Sequence, residues 1–260
     1  VRWDIHYRET WLHRTNPSLK LLVMMSIFIL VLFLHNPNVL INLSIGLFLL
    51  FFIYTGYPLK YLLLFFLPFF VIFVSTASSM TLFGQGTTTW VQWGLVHVTK
   101  ESFLRGMHLG FRALTFALLG LIFSLTTRPV YLFYSLMQQL KLKPKYAYSF
   151  LAGVRLIPIM LEEFQTVQNA LKVRGAGHSG TLEKVKRYAV PLLSQSIRRA
   201  QRIAVAMEAK RFSNETKRTF YYRIGFSKYD LMFLFSMIGI IMLSYYAATV
   251  FPYIPVTDVR

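Results

Sequence analysis

An all-α integral membrane protein, with about five membrane helices and two long cytoplasmic amphipathic helices, is the fold class that this sequence predicts. Three observations carry it. Of 260 residues, 55% are hydrophobic and only 15% charged, with a mean hydropathy of +0.49, which lies outside the range of ordinary soluble domains. The charge is lopsided, 28 Lys and Arg against 10 Asp and Glu for a net +18. It is also concentrated: residues 128–228 hold 19 basic side chains against five Glu, in two amphipathic stretches of roughly 30 residues each. In a soluble chain, +18 would point to nucleic acid. Set among long apolar runs, it reads instead as the basic cytoplasmic part of a membrane protein. With no cysteine, disulfides and thiolate metal sites are excluded. No secretory leader is expected, because Asp4 and Glu9 stand where a basic n-region belongs and further apolar segments follow the first.

Residues 3–20 are polar and aromatic, with Trp3, Tyr7 and Trp11 suited to the headgroup layer. Asn16, Pro17 and Ser18 start a helix with the proline in its first turn. Residues 21–34 are apolar, His35-Asn36-Pro37-Asn38 turns the chain, and residues 39–54 form a second run closed by Gly56 and Pro58. Both runs fall short of the roughly 20 residues of a spanning helix. They either recruit flanking residues or pair as a re-entrant unit, and both arrangements return the chain to its starting side. Residues 59–79 are long enough to span, with a kink expected at Pro68.

An external loop follows at residues 81–102. Trp90 and Trp93 are expected there as interface anchors, and the alternation over residues 91–98 predicts a short hairpin. The span at 103–127 contains Gly106 and Gly110, spaced for close helix packing. It also holds Arg112, whose charge in an apolar stretch demands a partner or a place near the membrane face. Residues 230–251 make the last span. The domain division is therefore 1–127, an N-terminal membrane domain of about four segments; 128–228, the basic helices; and 229–260, a C-terminal membrane helix. The positive-inside rule places 128–228 in the cytoplasm, joined by residues 1–20 with four basic side chains against two acidic. Four intervening segments agree with that parity, and a fifth puts the C-terminus outside. The basic face also favours anionic lipid headgroups.

Within the basic block, Phe150, Val154, Ile157, Leu161, Phe164 and Leu171 recur at helical steps, and Gln168 fills the one gap. Continuing by three reaches Arg174, after which Gly175 and Gly177 stop the helix. A second stripe comprises Leu182, Val185, Ala189, Leu193, Ile197, Ala200, Ala204 and Met207, with Lys184, Arg198 and Arg202 mostly off it. Ala200 and Ala204 would allow a close helix crossing, and Pro158 and Pro191 should bend the two helices. The stripes end in similar clusters 36 residues apart, Ala170-Leu171-Lys172-Val173-Arg174-Gly175 and Ala206-Met207-Glu208-Ala209-Lys210-Arg211. One reading is C-terminal capping with solvated charge. The other is a partner contact, a cation inserted among carboxylates and carbonyls of another protein. Two copies of the cluster favour the second reading and a two-fold partner.

Other function classes find little support. The six histidines, at 6, 13, 35, 97, 108 and 178, show no ligand spacing and no HExxH. The ten acidic residues leave little for a metal site or a membrane-embedded enzyme. Charges dispersed along striped helices fit a partner groove or a membrane better than nucleic acid. No Gly-x-x-x-x-Gly-Lys-(Ser/Thr) loop is present for ATP hydrolysis. A stand-alone secondary carrier or channel is the alternative reading, but the only repeat is in the basic block rather than among the membrane segments.

Together these residues resemble the transmembrane T component of energy-coupling factor (ECF) transporters, the family that includes the membrane subunit of cobalt importers. The resemblance covers nearly the whole chain. It begins at Leu12-His13-Arg14-Thr15-Asn16-Pro17-Ser18-Leu19-Lys20 and resumes at residues 94–106, Arg112 and Leu125-Thr126-Thr127. It is strongest at Arg155-Leu156-Ile157-Pro158, Glu162-Glu163, Arg174-Gly175 and Ala206-Met207-Glu208-Ala209. It implies a plasma-membrane scaffold without catalysis or cofactor, part of an importer of a vitamin or transition-metal micronutrient. The two cytoplasmic coupling helices would dock into two ABC-type ATPase subunits, and the membrane part would hold a substrate-binding S component. By resemblance, the docking residues are Val173, Arg174 and Gly175 at the first end and Ala209, Lys210 and Arg211 at the second. The second end departs from the family pattern, with Lys210 at the usual arginine and Arg211 at the usual glycine. Periodicity does not choose between them, since Ala206 to Lys210 and Met207 to Arg211 are both four-residue steps. Without the glycine, the second helix is free to run on by a turn.

Overall fold

The computed structural model describes residues 7–84, 89–93, 96–175, 181–210, 212 and 219–253, with backbone alone over 89–93, 96–97 and 181–182. In order, the elements are α1 (Trp11–Arg14), α2 (Pro17–Phe33), α3 (Pro37–Tyr54), α4 (Leu59–Phe83), β1 (Thr89–Trp93), β2 (Val96–Thr99), α5 (Lys100–Thr126), α6 (Pro129–Gln139), α7 (Pro144–Val173), α8 (Thr181–Ala209) and α9 (Lys228–Val250). The chain divides into two compact units, Val1–Arg128 with Gly225–Arg260, and Pro129–Ile224. Helices α3, α4, α5 and α9 are long and apolar enough to cross a membrane, and α2 is a shorter apolar helix of 17 residues. The chain is thus an all-α, multi-pass membrane protein. Its one described sheet is the antiparallel β1–β2 hairpin, with Val91 opposite Val98, where the alternation predicted one. The side chains of Trp90 and Trp93, read as anchors, lie outside the described residues.

In the first unit, local signals set the helix starts. Asn16 caps α2 by accepting the Ser18 N–H at 3.1 Å, and Asn36 caps α3 by accepting that of Asn38 at 3.0 Å. In both cases a proline follows at the first helical position, where its missing N–H is no loss. The turn is therefore only residues 34–36, because Pro37 begins α3 rather than breaking the chain. Helix α4 continues to Phe83 and α5 begins at Lys100, so the connecting loop is shorter at both ends than 81–102.

The unit closes around an apolar core drawn from α1, α2, α3, α5 and α9, including Leu12, Ile27, Leu43, Phe51, Leu118 and Phe233. Helix α4 buries only Leu62 completely and joins through the glycine pair of α5. A Cβ on Gly106 would stand 2.5 Å from Thr81 Oγ1 and 2.7 Å from the Ala77 carbonyl. One on Gly110 would stand 3.0 Å from the Phe73 ring and 3.1 Å from the Ala77 Cβ. This is the close packing expected of small residues four apart. Gly106→Leu is expected to push α4 off α5, at a cost of about 1–3 kcal/mol. A lowered unfolding midpoint in detergent would show this, and an unchanged midpoint would contradict the crossing. Arg112 has the partner its charge requires, since Nη2 donates to the Leu34 carbonyl at 2.7 Å and contacts His108 Nε2 at 2.9 Å.

A buried polar cluster ties the starts of α2 and α9 to the end of α5. Asp230, 3% exposed, accepts the Ser227 N–H at its own helix start and the Asn16 N–H at the start of α2, both at 2.6 Å. One carboxylate thus serves the positive ends of two helices. Lys20, 1% exposed, donates to the Leu12 carbonyl at 2.6 Å, the Thr126 carbonyl at 3.2 Å and Thr126 Oγ1 at 3.1 Å. All three ammonium protons are used, two of the bonds at the negative end of α5. His13 lies beside this cluster, held below its ordinary pKa by burial and by the Lys20 charge. Its neutral Nδ1 accepts the Thr10 N–H at 3.3 Å.

Candidate functional site: the ends of the two long helices

The second unit begins with α6, a helix absent from the sequence reading. Pro129 starts it, and it stops before Lys141, which takes a left-handed φ of 52°. Phe133 of α6 stacks on Phe150 of α7 at 5.0 Å, and Ala147 of α7 is fully buried. The segment after α8 returns to α6 through one side chain. Gln138 Nε2 donates to the Tyr222 carbonyl at 2.6 Å and Oε1 accepts the Ile224 N–H at 2.9 Å, so the amide reads this backbone as a neighbouring strand would.

Helices α7 and α8 have 30 and 29 residues, matching their periodic stretches, and Pro158 and Pro191 lie inside them. Three contacts order the pair. Tyr148 meets Phe212 edge-on at 5.3 Å, Glu163 pairs with Arg199 at 2.7 Å, and Phe164 packs on Tyr188 at 5.3 Å. Rising numbers on α7 meet falling numbers on α8, so the helices run antiparallel. Helical periodicity does not predict the Glu163–Arg199 pair, although two adjacent acids, Glu162 and Glu163, among basic helices are a signal for one. Ala200 and Ala204, read as a close crossing, are both exposed, because the packed seam of α8 is the neighbouring row containing Tyr188, Leu192, Arg199 and Ile203. The apolar stripes read from the sequence stay largely open: Phe150, Ile157 and Leu161 on α7 are about 60% exposed, as are Val185, Leu193 and Ile197 on α8.

The two helix ends share their last i→i−4 hydrogen bond. At the first, the Arg174 N–H donates to the Ala170 carbonyl at 3.2 Å; at the second, the Lys210 N–H donates to that of Ala206 at the same distance. Arg174 and Lys210 therefore occupy equivalent positions just past the last helical residue. Beyond the first, Gly175 turns left-handed, φ +70°, and its N–H returns to Lys172. Beyond the second, the Phe212 N–H returns to the Met207 carbonyl at 2.9 Å. These bonds are the two halves of a Schellman end. The second helix accordingly does not run on: it stops at Ala209, and Phe212 beyond it packs on Tyr148. Arg211 lies outside the described residues, as does Gly177. Val173 is 90% exposed, and Arg174, Gly175, Ala209 and Lys210 are all exposed too.

The antiparallel pairing separates these ends. Phe212 anchors the Lys210 end to Tyr148, and Arg174 lies roughly 26 residues further along α7, a separation of up to about 39 Å at 1.5 Å per residue. Beside the second end, an open groove of about 580 Å³ is lined by Arg198, Gln201, Arg202, Val205, Ala206 and Ala209. Val205, Ala206 and Ala209 make its apolar part, and Arg198 and Arg202 add two cations. Among the described residues, no His, Asp and Glu cluster could hold a metal.

Comparison with known proteins agrees with this architecture. The chain is 27% identical over 252 residues to the energy-coupling factor transporter transmembrane protein EcfT of Macrococcus caseolyticus, covering 92% of this chain and 94% of that one. It is 27% identical over 251 residues to EcfT of Brevibacillus brevis, with the same coverage. Against EcfT of Staphylococcus aureus it is 26% identical over 245 residues, covering 89% and 91%. The family model for the cobalt transport protein CbiQ matches residues 8–222, from the α1–α2 entry to the segment held by Gln138, and the chain therefore belongs to this family of ECF transporter transmembrane components.

Proposed function

We propose that this chain is the non-catalytic coupling scaffold of an ECF-type importer, carrying motion from two ABC-type ATPase subunits to a substrate-binding S component. The observation behind this reading is the pair of equivalent, exposed helix ends, each presenting a cation just past its last turn. Val173, Arg174 and Gly175 would enter one ATPase, and Ala209, Lys210 and Arg211 the other. A separation of up to about 39 Å suits two subunits better than one. Lys210, rather than Arg211, takes the role of Arg174, because it holds the equivalent backbone position. The open stripes of α7 and α8 supply apolar surface for the S component. Residues 128–228 and the N-terminus are cytoplasmic and the C-terminus is outside, following the charge bias. The S component sets which vitamin or metal is carried.

Composition of the purified complex tests this. The tagged chain, extracted in mild detergent, is expected to bring down two ATPases (or two copies of one) and a small, very hydrophobic protein. A chain that purifies alone and still moves solute in liposomes would replace this reading with a stand-alone carrier.

A further inference from the structure

We propose that the second unit binds anionic phospholipid headgroups, through a patch formed by Lys141, Lys143, Lys145 and Arg223 with the phenols of Tyr146 and Tyr221. In the connection between α6 and α7, Lys141, Lys143 and Lys145 are exposed while Leu142 between them is partly buried. The Leu142 N–H returns to the Leu136 carbonyl at 3.1 Å and fixes this turn. Three residues before it, Gln138 holds the backbone of Tyr222 and Ile224, which brings exposed Arg223 alongside. Tyr134 of α6 packs on the Tyr222 ring at 5.6 Å and secures the same segment. The patch is therefore built by fixed backbone rather than by loose side chains.

Its charge is uncompensated among the described residues. No Asp or Glu occurs from residue 129 to residue 161, and none of the four cations is ion-paired among the described residues. Chain connectivity favours a membrane as the occupant. Only Gly225, Phe226 and Ser227 separate Ile224 from the first residue of α9, a reach of at most about 14 Å. Thr127 and Arg128 alone separate α5 from α6. The Arg223 strip thus stays within a short tether of a candidate membrane span, and Gln138 holds the α6–α7 connection to that strip. Tyr221 and Tyr146, 92% and 56% exposed, are the side chains that favour the headgroup layer, and lysine and arginine there attract anionic lipid. This inference does not depend on the ATPase reading.

The test is native mass spectrometry of the full chain with whatever subunits co-purify, given equal phosphatidylglycerol and phosphatidylcholine. The wild-type protein is expected to retain phosphatidylglycerol at least about tenfold better. Lys141→Gln, Lys143→Gln, Lys145→Gln and Arg223→Gln together should remove that preference. Two controls should keep it: Lys→Arg at the same three lysines, and Gln at Lys184 and Lys186 of α8. An unchanged preference in the patch variant would overturn the proposal, as would its loss in either control. Loss of a protein subunit from the patch variant with lipid retention unchanged would identify a protein contact instead.

Discussion

Arg174→Ala combined with Lys210→Ala is expected to release the ATPase subunits and abolish ATP-driven uptake, leaving the membrane unit folded. Each truncation removes a charge-assisted contact, worth about 2–5 kcal/mol when it is buried and hydrogen-bonded in a complex. The two ends are far enough apart for these losses to add. On the proposed docking they would act as two points of one attachment, so losing either end should weaken binding by about 10²–10⁴-fold through lost effective concentration. The equivalent backbone positions of Arg174 and Lys210 predict that Lys210→Ala is damaging and Arg211→Ala is mild. Lys210→Arg should hold or tighten the complex, because the guanidinium adds a planar two-pronged donor. Co-purification and ATP-dependent uptake in proteoliposomes are the measurements. A complex that survives Ala at Arg174, Lys210 and Arg211 together would refute docking at these ends.

Substitution of the buried polar cluster should destabilise the protein about as strongly. Lys20→Met strands the Leu12 and Thr126 carbonyls away from water, and Asp230→Ala strands the Asn16 and Ser227 N–H groups. Removing one member of such a buried charged network costs about 3–5 kcal/mol. Asp230→Asn should be milder, since an amide oxygen still accepts one of the two N–H groups. Thermal unfolding in detergent, with gel filtration for aggregation, reads both effects. Equal midpoints for Asp230→Asn and Asp230→Ala would mean that these hydrogen bonds contribute little. Helix α5 and α9 lead directly into and out of the second unit, so loosening their ends should also reduce coupling in any variant that still folds.

The parts of this structure legible in the sequence are those in which cause and effect lie within a few residues. Asn16 and Asn36 announce their helices because a side-chain oxygen two residues away satisfies a free N–H. Gly106 and Gly110 announce a close crossing because their spacing puts both on one face. The lengths of α7 and α8 follow from unbroken helical periodicity, and the two end clusters from their own repeat. The same local logic misled at Ala200 and Ala204, where small residues on one face promised a crossing, while the neighbour packs on the adjacent row around Arg199. Helix α6 is not legible in the sequence because its 11 residues leave little room for a periodic signal beside the long stretch that follows.

By itself, the sequence determined that this protein is an all-α membrane protein with a basic two-helix extension, since hydropathy, charge bias and capping are properties of contiguous residues. Only tertiary structure decided which distant groups meet. Asp230 reaches Asn16 across 214 positions and Lys20 reaches Thr126 across 106, and no periodicity encodes such pairings. It also decided that Arg174 and Lys210, each the first residue past its helix, lie at opposite ends of the helix pair. This separation follows from α8 packing antiparallel on α7, where Phe212 meets the Tyr148 ring edge-on just past the end of α8.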